Sequence, residues 1–188
     1  MSVIALVDSQ KAIGVVLPGA SASAQARRTS LTVVCWTHSP VINTQPCGGE
    51  SHDLIHAVQE YFSQSDIDIS APEVIGISGP SDAMATIGIA SEKEAELIVA
   101  AANDPTGRIG GTCSTSPLLK HSRCNTLVVF GAPTRSTELR RVFVAATDNA
   151  NDVAAVYLAG QLAQSRDVHV TLARAELETG PEDVEVGR

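Results

Sequence analysis

Short, continuous apolar runs alternate along this chain with stretches of helical period. Val3 to Val7, Leu31 to Trp36, Val74 to Ser78, Leu97 to Ala102 and Thr126 to Phe130 are apolar without strict alternation. Runs of that length predict strands buried on both faces, as in a parallel sheet. Between them, Ser51 to Ser63 places Leu54, Ile55, Val58 and Phe62 on one helical face, and Pro80 to Ser91 predicts a second helix with Met84, Ile87 and Ile89 turned inward. The first segment has two readings. Val3 to Val7 is one candidate core strand; Ile13 to Leu17 is another, with Asp8 to Lys11 as a turn between them. Ala20 to Arg28 then reads as a short helix confined by Pro18 and Gly19. Thr37 to Glu50, with Pro40, Pro46 and Gly48-Gly49, reads as a long surface loop.

After Pro133 the pattern begins again. Arg141 to Thr147 predicts a strand, Asn151 to Gln164 a helix offering Val153, Val156, Leu158 and Leu162 for packing, and Val168 to Ala173 another strand. One βαβ unit of this kind joins a larger parallel sheet in most folds. Glu176 to Arg188 is acidic, contains Gly180-Pro181 and has no apolar period, which reads as a solvated tail. The expected organisation is therefore one domain over 1–133, a partial second unit over 140–174, and an acidic tail over 175–188.

Charge narrows the partners. A net charge of -8 argues against nucleic acid and against an anionic membrane surface, both of which select basic protein. No apolar run approaches the length of a membrane span. Cys35, Cys47, Cys113 and Cys124 form no CxxC pair, and Cys35 lies in an apolar strand, so a reducing cytoplasm is the simpler setting.

Candidate chemistry concentrates between Leu97 and Phe130. There an apolar run leads into a turn containing Gly107, Gly110 and Gly111. Ser114, Thr115 and Ser116 follow, and Pro117 suits the first position of a helix. Glycines before a helix start offer backbone N–H groups to an anion, so this turn is the candidate ligand site. His52 and His56, four apart on one helix, have zinc-gripping spacing, but no third ligand is evident and a solvated helix face is the preferred reading. Gly76-Ile77-Ser78-Gly79-Pro80 lacks the spacing of a nucleophile elbow, and no lysine follows the glycine turn as in a P-loop. These features predict a binding protein, not an enzyme.

The run from Gly111-Thr112-Cys113-Ser114-Thr115-Ser116-Pro117 to Val128-Val129 resembles the C-terminal signature of universal stress protein domains, a Gly-Ser-x-Ser turn leading into a helix and a Val-rich last strand. Ile98-Val99 and Gly107-Arg108-Ile109-Gly110 resemble that family's fourth strand and Gly-Arg-x-Gly turn. Leu31 to Trp36 is similar to its second strand, and Arg140 to Arg174 to the start of a second copy.

The resemblance implies an α/β, flavodoxin-like (Rossmann-like) parallel sheet of order 3-2-1-4-5 with helices on both faces, and ligand over the carboxyl ends of the strands. It implies a regulatory or sensing domain, with an adenine nucleotide such as ATP held by Gly107, Arg108, Gly110, Gly111, Thr112, Ser114 and Thr115. Asp8 would meet the adenosine end if Val3 to Val7 is the core strand, and Trp36 would line the base pocket. Mg2+ would enter only with nucleotide. ATP-binding members resemble G-x2-G-x9-G-[ST]; here Gly111-Thr112 follows Gly110 at once, so the nine-residue spacer is missing. The alternative is a ligand-free dimerisation module, a homodimer through Thr126 to Phe130 or through 140–174. Such domains are also appended to cation/proton antiporters and amino-acid permeases. A sequence stopping at Glu185 to Arg188 in mid-repeat fits the cytosolic domain of such a transporter, the one setting in which a membrane would be a partner.

Overall fold

The computed structural model describes residues 2–38, 50–65, 71–79, 81–101, 115–129, 141–146, 150–165 and 169–174. The chain divides into two compact units, Met1–Leu139 and Arg140–Arg188.

Unit 1 is built on five strands: β1 (Ser2–Val7), β2 (Ser30–His38), β3 (Glu73–Gly79), β4 (Ala95–Ala101) and β5 (Asn125–Val129). They form one parallel sheet of order β3-β2-β1-β4-β5, the order expected. Helices α1 (Gln10–Arg27), α2 (Glu50–Gln64), α3 (Asp82–Glu92) and α4 (Thr115–His121) connect the strands. All of β1 is buried, because it lies at the centre of the sheet with layers on both faces. On one face, Ile4, Leu6, Val34, Trp36, Ile98 and Ala100 pack with Ala83 and Ala90 of α3 and Leu118 of α4. On the other, α1 lies against β1, β4 and β2, and α2 against β3 and β2.

The open question at the N-terminus is settled by α1. Ile13 to Leu17 is not a strand; it lies inside an 18-residue helix that also runs through Pro18 and Gly19. Ser9 starts this helix, its Oγ accepting from the Ala12 N–H at 3.3 Å. An interior proline costs about 3 kcal/mol. Burying Ile13, Val15, Val16 and Leu17 returns about 1.5–3 kcal/mol each, so packing carries the helix past the proline. It ends at Arg28, whose φ of 51° is left-handed, with the Thr29 N–H donating to the Ala24 carbonyl at 3.1 Å and the Arg28 N–H to Gln25 at 3.0 Å.

Two further expectations are corrected. Met84 points outward, 56% exposed, and α3 instead buries its small residues Ala83, Thr86 and Ala90; α3 sits close over the sheet, where small side chains fit and a methionine does not. Pro117 is the third residue of α4, which begins at Thr115.

At the amino ends of the strands, polar pairs tie distant segments together. Arg27 Nη1 lies 3.1 Å from Glu96 Oε2, and Lys93 Nζ lies 2.9 Å from the Glu73 carboxylate. Thr32 Oγ1 also donates to Glu73, at 3.3 Å.

Unit 2 is β6 (Arg141–Ala146), α5 (Ala150–Ser165) and β7 (His169–Arg174), with the two strands parallel. Val144, Ala159 and Leu162 make its small interior. Of the helix residues expected to pack, Leu162 is buried and Leu158 half-buried, whereas Val153 and Val156 face outward. Two strands give α5 too little surface to cover more of it. The expected tail lies outside the described residues. No described helix is long and apolar enough to cross a membrane.

Candidate functional site

The site is assembled by strand register. Val7 lies opposite Cys35, and Leu6 opposite both Val34 and Ala100. Asp8 directly follows the last residue of β1, at that strand's carboxyl end. Trp36, expected at the exit of the second strand, lies inside β2, which continues through Thr37 to His38 and pairs Trp36 with Ile77 of β3. Ala101, the last residue of β4, ends on the strand that neighbours β1 and leads in sequence into 102–114. Topology thus places Asp8 beside the strand from which the glycine turn departs.

Asp8 is half-buried, and its Oδ1 accepts from the Ser9 hydroxyl at 3.2 Å. Ser9 also caps α1, so the carboxylate is held by the residue that starts the helix. Trp36 was expected to line a base pocket. It is 4% exposed and packed into the α3/α4 face of the core, so its ring supports this edge from beneath and is not offered for stacking.

Gly107, Arg108, Gly110, Gly111, Thr112 and Ser114 lie outside the described residues. Of the loop expected over Thr37 to Glu50, Thr37 and His38 belong instead to β2 and Glu50 to α2, and 39–49 lies outside the described residues. Thr115 opens α4.

A residue not selected from sequence joins the same end. Asp82, the first residue of α3, is buried, its Oδ1 accepting from the Ala83 N–H at 2.6 Å. Among the described residues its Oδ2 has no hydrogen-bond partner, an expensive state for a buried carboxylate oxygen. Thr86 Oγ1 donates to the Asp82 carbonyl at 2.7 Å. Acidic residues are ordinary in a first helical turn, so nothing in Ser81-Asp82 marked it as buried. His52 and His56 are exposed on α2, and among the described residues no group of three could hold a metal ion.

The fold is matched among solved structures. A universal stress protein solved in complex with cAMP superposes with a TM-score of 0.51 at 16% identity, over 69% of this chain and 96% of that one. Unit 1 has the universal stress protein fold. The universal stress protein UspA from Lactobacillus plantarum (TM-score 0.46, 19% identity, 69% of this chain and 97% of that one) and one from Archaeoglobus fulgidus (0.45, 16%, 69% and 93%) also match. No family model and no curated protein matches the sequence. In this fold the carboxyl edge that holds Asp8 is where a crossing-over of strand order opens a crevice, between β1 and β4.

Proposed function

We propose that unit 1 is a universal stress protein-like regulatory domain that binds an adenine nucleotide over the carboxyl ends of β1, β2 and β4, without catalysing a reaction. The observation that carries this reading is the position of Asp8 at the carboxyl end of the central strand β1, next to β4, the strand from which the glycine turn departs. A half-buried carboxylate is an acceptor of the kind that meets a donor on the base or ribose. Backbone amides of Gly110 to Ser114 would hold phosphate oxygens. The matched structure with cAMP supports a ligand carrying a single phosphate. The missing spacer points the same way, since a shorter turn encloses fewer phosphates. AMP or cAMP is therefore favoured over ATP, and Mg2+ would enter only with a polyphosphate.

The test is the 260/280 absorbance ratio of protein purified without added nucleotide, followed by thermal shift with cAMP, AMP, ADP, and ATP with and without Mg2+. A ligand at 100 times its dissociation constant stabilises by about 2.7 kcal/mol, enough to raise the midpoint by several degrees. Asp8→Ala is expected to abolish that rise while leaving the unliganded midpoint within about 2 °C. Absence of bound nucleotide together with no shift from any of the four would sink the reading and leave the fold standing.

A further inference from the structure

The first turn of α3 holds a buried acceptor that its own donors do not reach. Ser81 caps the helix: its Oγ accepts from the Met84 N–H at 3.4 Å and its carbonyl from the Ala85 N–H at 3.4 Å. The Ala83 N–H is taken by Asp82 Oδ1, and the Thr86 hydroxyl by the Asp82 carbonyl. Each of these donors thus has another acceptor, and none among the described residues meets Asp82 Oδ2. Asp82 is 6% exposed, so bulk water does not make up the loss. Because Ser81 already makes the cap, the carboxylate is not needed to start the helix. An acceptor left open in this way calls for a donor from outside the chain.

Topology fixes the edge at which that donor arrives. β3 ends at Gly79, opposite His38, the last residue of β2, so α3 starts at the carboxyl ends of these two strands. Ala83, beside Asp82, packs in one cluster with Leu6, Trp36 and Ala100 from the carboxyl halves of β1, β2 and β4. Asp82 therefore shares the edge that carries Asp8. Strand order sets the spacing along it: β4, β1 and β2 are consecutive neighbours, and two steps from strand to strand span about 10 Å. A nucleoside monophosphate is of that length. Extended across this edge with its phosphate at the end of β4 and its ribose at Asp8, it brings its base to the end of β2, where α3 begins.

We infer that Asp82 is a specificity-determining residue of the proposed nucleotide site, its Oδ2 accepting from the 6-amino group of adenine. An ionised carboxylate only accepts hydrogen bonds, so it selects a base edge that presents a donor. On adenine that donor is the 6-amino group. A purine with hydrogen in its place leaves the oxygen buried and unpaired, and a site built to pair with a polar group rejects the analogue that lacks it. The inference rests on the nucleotide reading and adds to it a reason for adenine.

The probes are AMP and purine riboside 5′-monophosphate, which carries hydrogen in place of the 6-amino group, titrated into the full chain by calorimetry. Wild type is expected to bind AMP about tenfold or more tighter than the analogue. Asp82→Asn keeps the Oδ1 contact with the Ala83 N–H and sets an NH2 donor where Oδ2 stood, so AMP weakens by about tenfold and the two ligands bind alike. Without ligand, this variant is expected to unfold within about 2 °C of wild type, since Oδ2 has no donor to lose. A fall of more than about 5 °C overturns the inference, by showing that the oxygen is paired within the protein. Equal affinity of wild type for the two ligands overturns it as well, as does an AMP preference of the same size in Asp82→Asn; in either case, AMP binding that Asp8→Ala abolishes leaves the nucleotide reading standing. No binding of either ligand to wild type removes that reading and the inference together.

Discussion

At the scale of single residues, burial decides chemistry more than residue type does. Cys35 sits on β2 with none of its surface exposed, and burial pushes its thiol up to about 12 from an ordinary 9.0. A thiol so protonated is a poor nucleophile. In native protein at pH 8, alkylation followed by mass mapping is expected to modify the half-buried Cys124 well before Cys35, which reacts only on unfolding. Equal rates would contradict the packing. Glu73 illustrates the opposite direction. The hydrogen bond from Lys93 holds its carboxyl below the ordinary 4.5, with Lys93's charge and the Thr32 hydroxyl adding to it and desolvation opposing. A folded value below the unfolded one adds stability above the unfolded value, and that stability is lost as pH falls through the folded one. The stability advantage of wild type over Glu73→Gln in urea should thus be present at pH 6 and decline as pH falls below the ordinary 4.5. A gap that does not change with acidification would remove Glu73 as its source. Asp8 was legible as a strand-end residue because a continuous apolar run marks where a buried strand stops; Trp36 was not one, because β2 runs on through the polar Thr37 and His38, which pair with β3. Asp82 was not, because whether an acid at a helix start is solvated or buried depends on which elements pack around it.

At the scale of elements, the parallel strands were legible and α1 was not, for one physical reason. A helix buried on nearly every side has no polar stripe, so Ile13 to Leu17 carries no helical period and imitates a strand. Pro18 and Gly19 strengthen that misreading, since their usual meaning is a break, overridden here by the packing of α1 on β1 and β4. The α3 face was misread similarly: its buried residues are small, and the large Met84 drew attention to the wrong side. The end of α1 offers a direct test. Arg28 is exposed and left-handed, and its cap uses only backbone groups, so Arg28→Gly keeps both hydrogen bonds and removes the Cβ clash. We expect a gain of about 0.5–1 kcal/mol in chemical unfolding. A loss would mean that the arginine side chain, not the backbone conformation, matters at this cap.

At the scale of the whole molecule, the two units differ in how much they can bury. β1 and β4 of unit 1 are flanked by strands and covered by helices on both faces, whereas β6 and β7 pair only with each other among the described residues. Two strand residues make the contrast concrete: Ile4 of β1 is fully buried beneath α3 and α4, whereas Phe143 of β6 is 67% exposed. A two-stranded sheet with one helix is marginal in water. Unit 2 should therefore open at a lower free energy than unit 1, and native-state hydrogen exchange can read this element by element. Amides of β6, α5 and β7 are expected to exchange through a subglobal opening while those of β1 and β4 exchange only on global unfolding. Adenine nucleotide should protect the ends of β1 and β4. Uniform protection across both units in the absence of any ligand would contradict this difference in burial.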